Sequence, residues 1–91
     1  MKLDLPTRLT MQEAASVLGG LQGAIGRASA EPVELNAGAL RELDTAAISV
    51  LLQCRRLARE RGLALVLQSV PPKLAALMAL YGVAELFGLN A

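Results

Sequence analysis

Strand-like and helix-like segments alternate along this chain, and that order restricts its fold more than any single motif does. Lys2 to Leu5 alternates polar and apolar residues and ends at Pro6, the pattern of a short strand. Thr10 is a good N-cap, and Glu13 three residues later gives the spacing of a capping box. Met11, Ala14, Leu18, Leu21 and Ile25 then recur at helical intervals, which predicts one apolar face. Gly19, Gly20, Gly23 and Gly26 weaken this helix by up to about 1 kcal/mol each relative to Ala. Close packing of the helix on a sheet would account for them. Ser29 to Pro32 breaks the helix, and Val33-Glu34-Leu35-Asn36 reads as the next strand. Gly38 to Leu43 is expected to be a loop, and Asp44 the next N-cap. Thr45 to Arg61 is the clearest helix in the chain, stopped by Gly62. Leu63-Ala64-Leu65-Val66-Leu67 is a continuous apolar run of strand length, as expected of a strand covered on both faces. Pro71-Pro72 starts a helix over Lys73 to Tyr81, Gly82 stops it, and Ala84 to Phe87 forms a last turn. Strand, helix, strand, helix, strand, helix predicts an α/β layer fold with a partly parallel sheet. No repeat or linker divides the chain, so residues 1–91 are read as one domain.

Composition excludes several kinds of function. Hydrophobic residues make up 54% of the 91 and charged residues 19%, which is incompatible with intrinsic disorder. The net charge of +1 supplies no field that would draw nucleic acid or anionic lipid. The chain has no His and a single Cys, so no Cys/His zinc site can be built within it, and no metal or other cofactor is expected. A serine or cysteine hydrolase would lack its usual base, and no pair of carboxylates stands at a useful spacing. A non-enzymatic protein is the expectation. The lone Cys54 suits a reducing compartment. The longest uncharged stretch, Ala14 to Gly26, has 13 residues, where a membrane span needs about 20. The first residues carry no signal-peptide core. A cytoplasmic domain with surplus apolar surface is expected, and such surplus often marks a contact for a partner.

Individual clusters separate into structural and functional readings. The glycines at 19, 20, 23 and 26 lie inside a helical pattern and not between a strand and a helix start, so they do not read as a phosphate loop. Arg55, Arg56, Arg59 and Arg61 read as the solvated face of a helix, since nucleic-acid binding would need more basic residues and aromatic platforms. Cys54 falls on the core face of the long helix, with Ala47, Val50, Leu51, Leu57 and Ala58. Thr45, Ile48, Leu52 and Arg59 cluster on a side stripe of that helix, bordered by Arg55 and Arg56. Aliphatic anchors with arginines at the rim suit a protein contact. The same Ile48 and Leu52 would equally serve to pack against the helix of Lys73 to Tyr81.

The segment Leu43-Asp44-Thr45-Ala46-Ala47-Ile48-Ser49-Val50-Leu51-Leu52 resembles the signature of STAS domains, in which Asp-Ser/Thr-Ser/Gly-Gly-Leu precedes an aliphatic helix. Gly62 with the strand Leu63 to Leu67, Val70-Pro71, Leu74, Leu77 and Leu80, and Tyr81-Gly82-Val83 before Leu86-Phe87 extend the resemblance over about residues 33–87. It implies a small mixed sheet with helices packed on one face, and a non-enzymatic interaction domain. In the anti-sigma factor antagonists of this family, the second hydroxyl residue of Asp-Ser-Ser-Gly is phosphorylated to block partner binding. Here that position is Ala46. The MlaB-like branch, a subunit of phospholipid ABC transporters, carries Asp-Thr-Gly-Gly, and Thr45 matches it. Alanines 46 and 47 replace its glycines. This branch implies that the transporter ATPase is the partner, that the chain sits at the inner membrane only through that partner, and that Asp44, Thr45, Ile48, Leu52, Arg55 and Arg59 form the contact. Any phosphate would sit on Thr45. The alternatives are an antagonist lacking its switch residue, or a domain holding a lipid or nucleotide. The first strand usual in the family is missing from the pattern, which leaves a sheet edge either bare or paired with a second copy.

Overall fold

A computed structural model describes residues 1–29 and 32–89. Among the described residues there are five strands: β1 (Lys2–Asp4), β2 (Arg8–Leu9), β3 (Val33–Asn36), β4 (Glu42–Leu43) and β5 (Leu65–Gln68). The helices are α1 (Ala14–Gly26), α2 (Thr45–Glu60) and α3 (Pro72–Leu80), followed by a 3-10 turn over Ala84–Phe87. The main sheet has the order β1-β3-β5, and β2 with β4 forms a separate two-stranded ladder. Every one of these strand pairs is parallel. Parallel neighbours need a crossover, and helices supply the longer ones here. The α/β class and the one-sided helix layer of the sequence reading both stand.

Which face is covered follows from the register. Leu3 pairs with Leu35, and Leu35 with Leu67, so these leucines point to one side. Val33, Leu35 and Leu67 are buried there beneath the helices. The other side carries Lys2, Glu34 and Val66 in one row and Asp4, Asn36 and Gln68 in the next. Asn36 Nδ2 donates to Asp4 Oδ1 at 3.0 Å, and Gln68 Nε2 to Glu34 Oε1 at 3.0 Å. Side-chain amides thus tie the strands together on an open polar face. Val66 is exposed, which corrects the expectation of a strand covered on both faces. The apolar run misleads because Val66 faces water in an otherwise apolar stretch. The strand starts at Leu65, while Leu63 is buried just before it.

Four further expectations change. The stretch Gly38 to Leu43 is not all loop, since Glu42–Leu43 pairs with Arg8–Leu9. Two-residue strands carry too little periodicity to be seen in a sequence. Thr10 does not cap α1 directly. Glu13 does reach back to Thr10, accepting from its N–H at 2.9 Å and its hydroxyl at 2.7 Å. These bonds, with Arg8 alongside, hold the Glu13 carboxyl below its ordinary pKa. The box closes the turn that leads into α1, whose first residue, Ala14, donates its N–H to the Thr10 carbonyl at 3.0 Å. Met11 lies in that turn and is 77% exposed, so it leaves the apolar face, of which Leu21 and Ile25 are the buried members. Finally, a Cβ added at Gly19, Gly20 or Gly26 would meet nothing within 4 Å, so these glycines do not permit close packing. The break expected at Ser29 to Pro32 includes residues 30 and 31, which lie outside the described residues.

Helix α2 is the centre of the core. Ala47, Ile48, Val50, Leu51, Cys54 and Ala58 are buried along it. Gly62, at φ +72°, ends it in the left-handed region that glycine enters without a Cβ clash. Cys54 is fully buried, and desolvation pushes its thiol pKa up to about 11, so it is a core side chain and not a nucleophile. No helix among the described residues is long and apolar enough to cross a membrane.

Candidate functional site

The site is built on the first turns of α2. Asp44 has extended backbone angles, and its Oδ1 accepts from the Ala46 N–H at 2.8 Å, which satisfies one of the free donors of the helix start. Its Oδ2 accepts from the Met11 N–H at 3.1 Å. One carboxylate therefore caps α2 and pins the turn before α1 against it. Thr45 is the first helical residue. It is exposed, and its hydroxyl has no hydrogen-bond partner among the described residues. It stands at the positive end of the helix dipole.

From Thr45 an open groove of about 420 Å³ runs along α2, lined by Thr45, Ile48, Ser49, Leu52, Gln53 and Tyr81. The helical repeat divides the lining. Thr45, Ser49 and Gln53, four residues apart, make a polar row, and Ile48 and Leu52 make an apolar row beside it. Gln53 Nε2 donates to Ser49 Oγ at 3.2 Å within the polar row. Ile48 is only 6% exposed and forms the floor, while Leu52 is half-buried. Tyr81, just past the end of α3, is 53% exposed. Ile48 and Leu52 thus belong to the packed layer and still line the groove.

The arginines lie elsewhere. Arg55 Nε donates to the Leu86 carbonyl at 2.9 Å, tying α2 to the terminal 3-10 turn. Arg59 is exposed in the last turn of α2. At about 1.5 Å per residue it stands about 21 Å from Thr45 along the axis, well beyond the groove. The structure brings Asp44, Thr45, Ile48 and Leu52 together and leaves Arg55 and Arg59 outside that cluster. Sequence reasoning missed Tyr81, Ser49, Gln53 and the Met11 backbone contact. Ser49 and Gln53 follow from Thr45 by adding four and eight. Tyr81 and Met11 come from other elements, and no local pattern connects them to α2.

The basic helical face is also resolved. Arg56 pairs with Glu60 one turn on at 3.3 Å, an exposed pair of little energetic weight. Arg61 Nη2 donates to the Ala28 carbonyl at 2.7 Å. Arg56 and Arg59 suit the solvated reading, whereas Arg55 and Arg61 tie α2 to neighbouring segments.

Comparison with known proteins agrees with the geometry. Residues 1–89 match the family described as "Mlab, STAS domain". An anti-sigma-factor antagonist (STAS) domain protein from Planctomyces limnophilus superposes with a TM-score of 0.82 at 17% identity, over 94% of this chain and 77% of that one. A sulfate transporter family protein from Wolinella succinogenes gives 0.74 at 18% identity, over 96% and 70% of the two chains. The STAS domain of a SulP transporter from Vibrio cholerae gives 0.70 at 13%, over 96% and 68%. At these identities the likeness is one of fold. No curated protein matches the chain.

Proposed function

The chain belongs to the STAS domain family, and from that premise we propose that it is a non-enzymatic subunit that binds and regulates the cytoplasmic ATPase of an Mla-type phospholipid ABC transporter. The observation that carries this reading is the free Thr45 hydroxyl at the mouth of the α2 groove, with Ala46 in the next position. Partner binding uses the whole groove: Ile48, Leu52 and Tyr81 provide apolar area, and Thr45, Ser49 and Gln53 provide hydrogen-bonding groups. Asp44 positions Thr45 by fixing the helix start. Arg55 and Arg59 form the far rim of the contact. The ATPase, in turn, holds the domain at the membrane.

The test is co-expression of the chain with the Mla-type ATPase of the same genome, followed by purification through a tag on the ATPase. Wild type is expected to copurify. Thr45→Ala is expected to weaken retention and Thr45→Glu to weaken it more, because the new carboxylate would be desolvated without a partner. Thr45→Glu binding like wild type would remove the helix start from the interface. Any phosphate found in vivo is expected on Thr45, since Ala46 has no acceptor oxygen. Capture of an anti-sigma kinase in place of the ATPase would assign the chain to the antagonist branch. A lipid or nucleotide retained in the groove, detected by native mass spectrometry, would favour the ligand-binding reading.

A further inference from the structure

The main sheet ends at β1, and the free edge of that strand is self-complementary. Residues alternate along a strand in the direction their backbone groups face. Met1 and Leu5 are bonded to β3, through Glu34 N–H to the Met1 carbonyl at 2.8 Å and Leu5 N–H to the Asn36 carbonyl at 2.9 Å. Leu3, in register with Leu35, faces β3 in the same way. The N–H and C=O groups of Lys2 and Asp4 therefore face outward, and no other described strand pairs with β1. Unpaired edges of this kind invite a further strand.

We propose that β1 pairs with β1 of a second copy of this chain, antiparallel about a two-fold axis through Leu3. Only this register places two outward-facing residues opposite each other twice. Lys2 then faces Asp4 of the second copy, and Asp4 faces its Lys2. In an antiparallel ladder such directly opposite residues exchange both of their N–H···O bonds. The side chains in these positions carry opposite charges and share the polar face of the sheet. The Lys2 ammonium has no hydrogen bond or ion pair among the described residues, and Asp4 uses only Oδ1, toward Asn36. The unused charges thus match across the axis. A one-residue slip would bring inward-bonded Leu3 opposite Lys2 or Asp4 and lose the bonds. On the covered side the axis brings the two half-buried Leu3 side chains together. The product is a six-stranded sheet with all helices on one face, and the α2 groove takes no part in the pairing. Pro6 follows closely and offers no N–H, so the ladder stays short and the association weak and salt-sensitive.

Sedimentation velocity of the chain with its N-terminus untagged, from about 10 μM to about 1 mM at low salt, tests this. A concentration-dependent doubling of mass, reversed by high salt, is expected. Lys2→Asp and Asp4→Lys are each expected to abolish it, because each sets like charges opposite one another, with thermal melts checking that both still fold. Mixing the two variants restores both opposite-charge pairs and is expected to restore the dimer. A monomer throughout the range would overturn the proposal, and so would a dimer unchanged by either variant or one not restored by mixing. Should Asp4→Lys fail to fold through loss of the Asn36 contact, Lys2→Asp alone decides, by losing or keeping the doubling. ATPase retention is expected to be unaffected by either variant, which keeps this test separate from that of the α2 site.

Discussion

The two long helices of this domain lie side by side but differ in almost every respect that stabilises a helix. Helix α2 has 16 residues, no glycine, a side-chain N-cap and six buried residues. Helix α1 has 13 residues, four of them glycine, no side-chain cap on its first turn, and two buried residues. Neither has acidic residues in its first turn, and only α2 carries a basic residue, Arg59, in its last turn, a contribution of well under about 1 kcal/mol at an exposed site. The contrast lies in where each helix sits. Helix α2 bears on the sheet, on α1 and on α3, whereas α1 leans chiefly on α2. A contact surface benefits from a rigid mount, and the groove lies on the stiffer helix. The comparison teaches that the candidate site is held by core packing and one cap, not by the loops around it.

The sharpest way to break this contrast is a cavity in each helix. Leu51→Ala is expected to cost about 2–5 kcal/mol, since Leu51 is completely buried. Leu21→Ala on α1 is expected to cost less, because Leu21 retains some exposure and the site can collapse around it. Urea denaturation of both variants measures the gap, and equal losses would show that α1 is as much a part of the core as α2. Next in size is the cap. Asp44→Ala removes the acceptor for both the Ala46 and Met11 N–H groups and is expected to cost about 1–2 kcal/mol. Hydrogen exchange should then quicken at the start of α2 and in the turn around Met11 together.

The glycines give a change of opposite sign. Gly19→Ala and Gly20→Ala face open space in a helical backbone, so each is expected to stabilise by about 0.5–1 kcal/mol, read as a higher melting temperature. A loss would mean that this helix needs its glycines for something other than room. Smallest of all is the expected effect of Thr45→Ala on stability, within about 0.5 kcal/mol, because Asp44 supplies the cap and the Thr45 side chain is exposed. Its effect should appear in ATPase retention alone. Cys54 adds a chemical check on the same helix. With its thiol buried and its pKa raised to about 11, little thiolate forms at pH 8, so alkylation by iodoacetamide is expected only after unfolding.

Helix α2 was legible because its signals are local: Asp44 as cap, Gly62 as stop, and an apolar repeat matching the helical period between them. The order of elements and the α/β class were legible for the same reason, as was Cys54 among the core residues. Thr45 at an exposed helix start followed directly from the cap, while the significance of Ala46 came only from the resemblance to the STAS signature. Other features depended on partners far away in sequence. That Met11 leaves the apolar face follows from the Thr10–Glu13 turn docking on Asp44, 33 residues on. Val66 reads as a core residue until the register with Glu34 and Lys2 turns it to water. That Arg55 also ties α2 to the terminal turn, through its Nε to the Leu86 carbonyl, has no local signal. Tyr81 joins the groove only because α3 ends beside α2. Periodicity and capping are set by interactions within a few residues, so the sequence by itself determined the three helices, the longer strands and most of their buried stripes. Which side of each stripe meets water, which arginine is already engaged, and which distant side chain completes the groove depend on contacts between elements, and only the tertiary structure decided them.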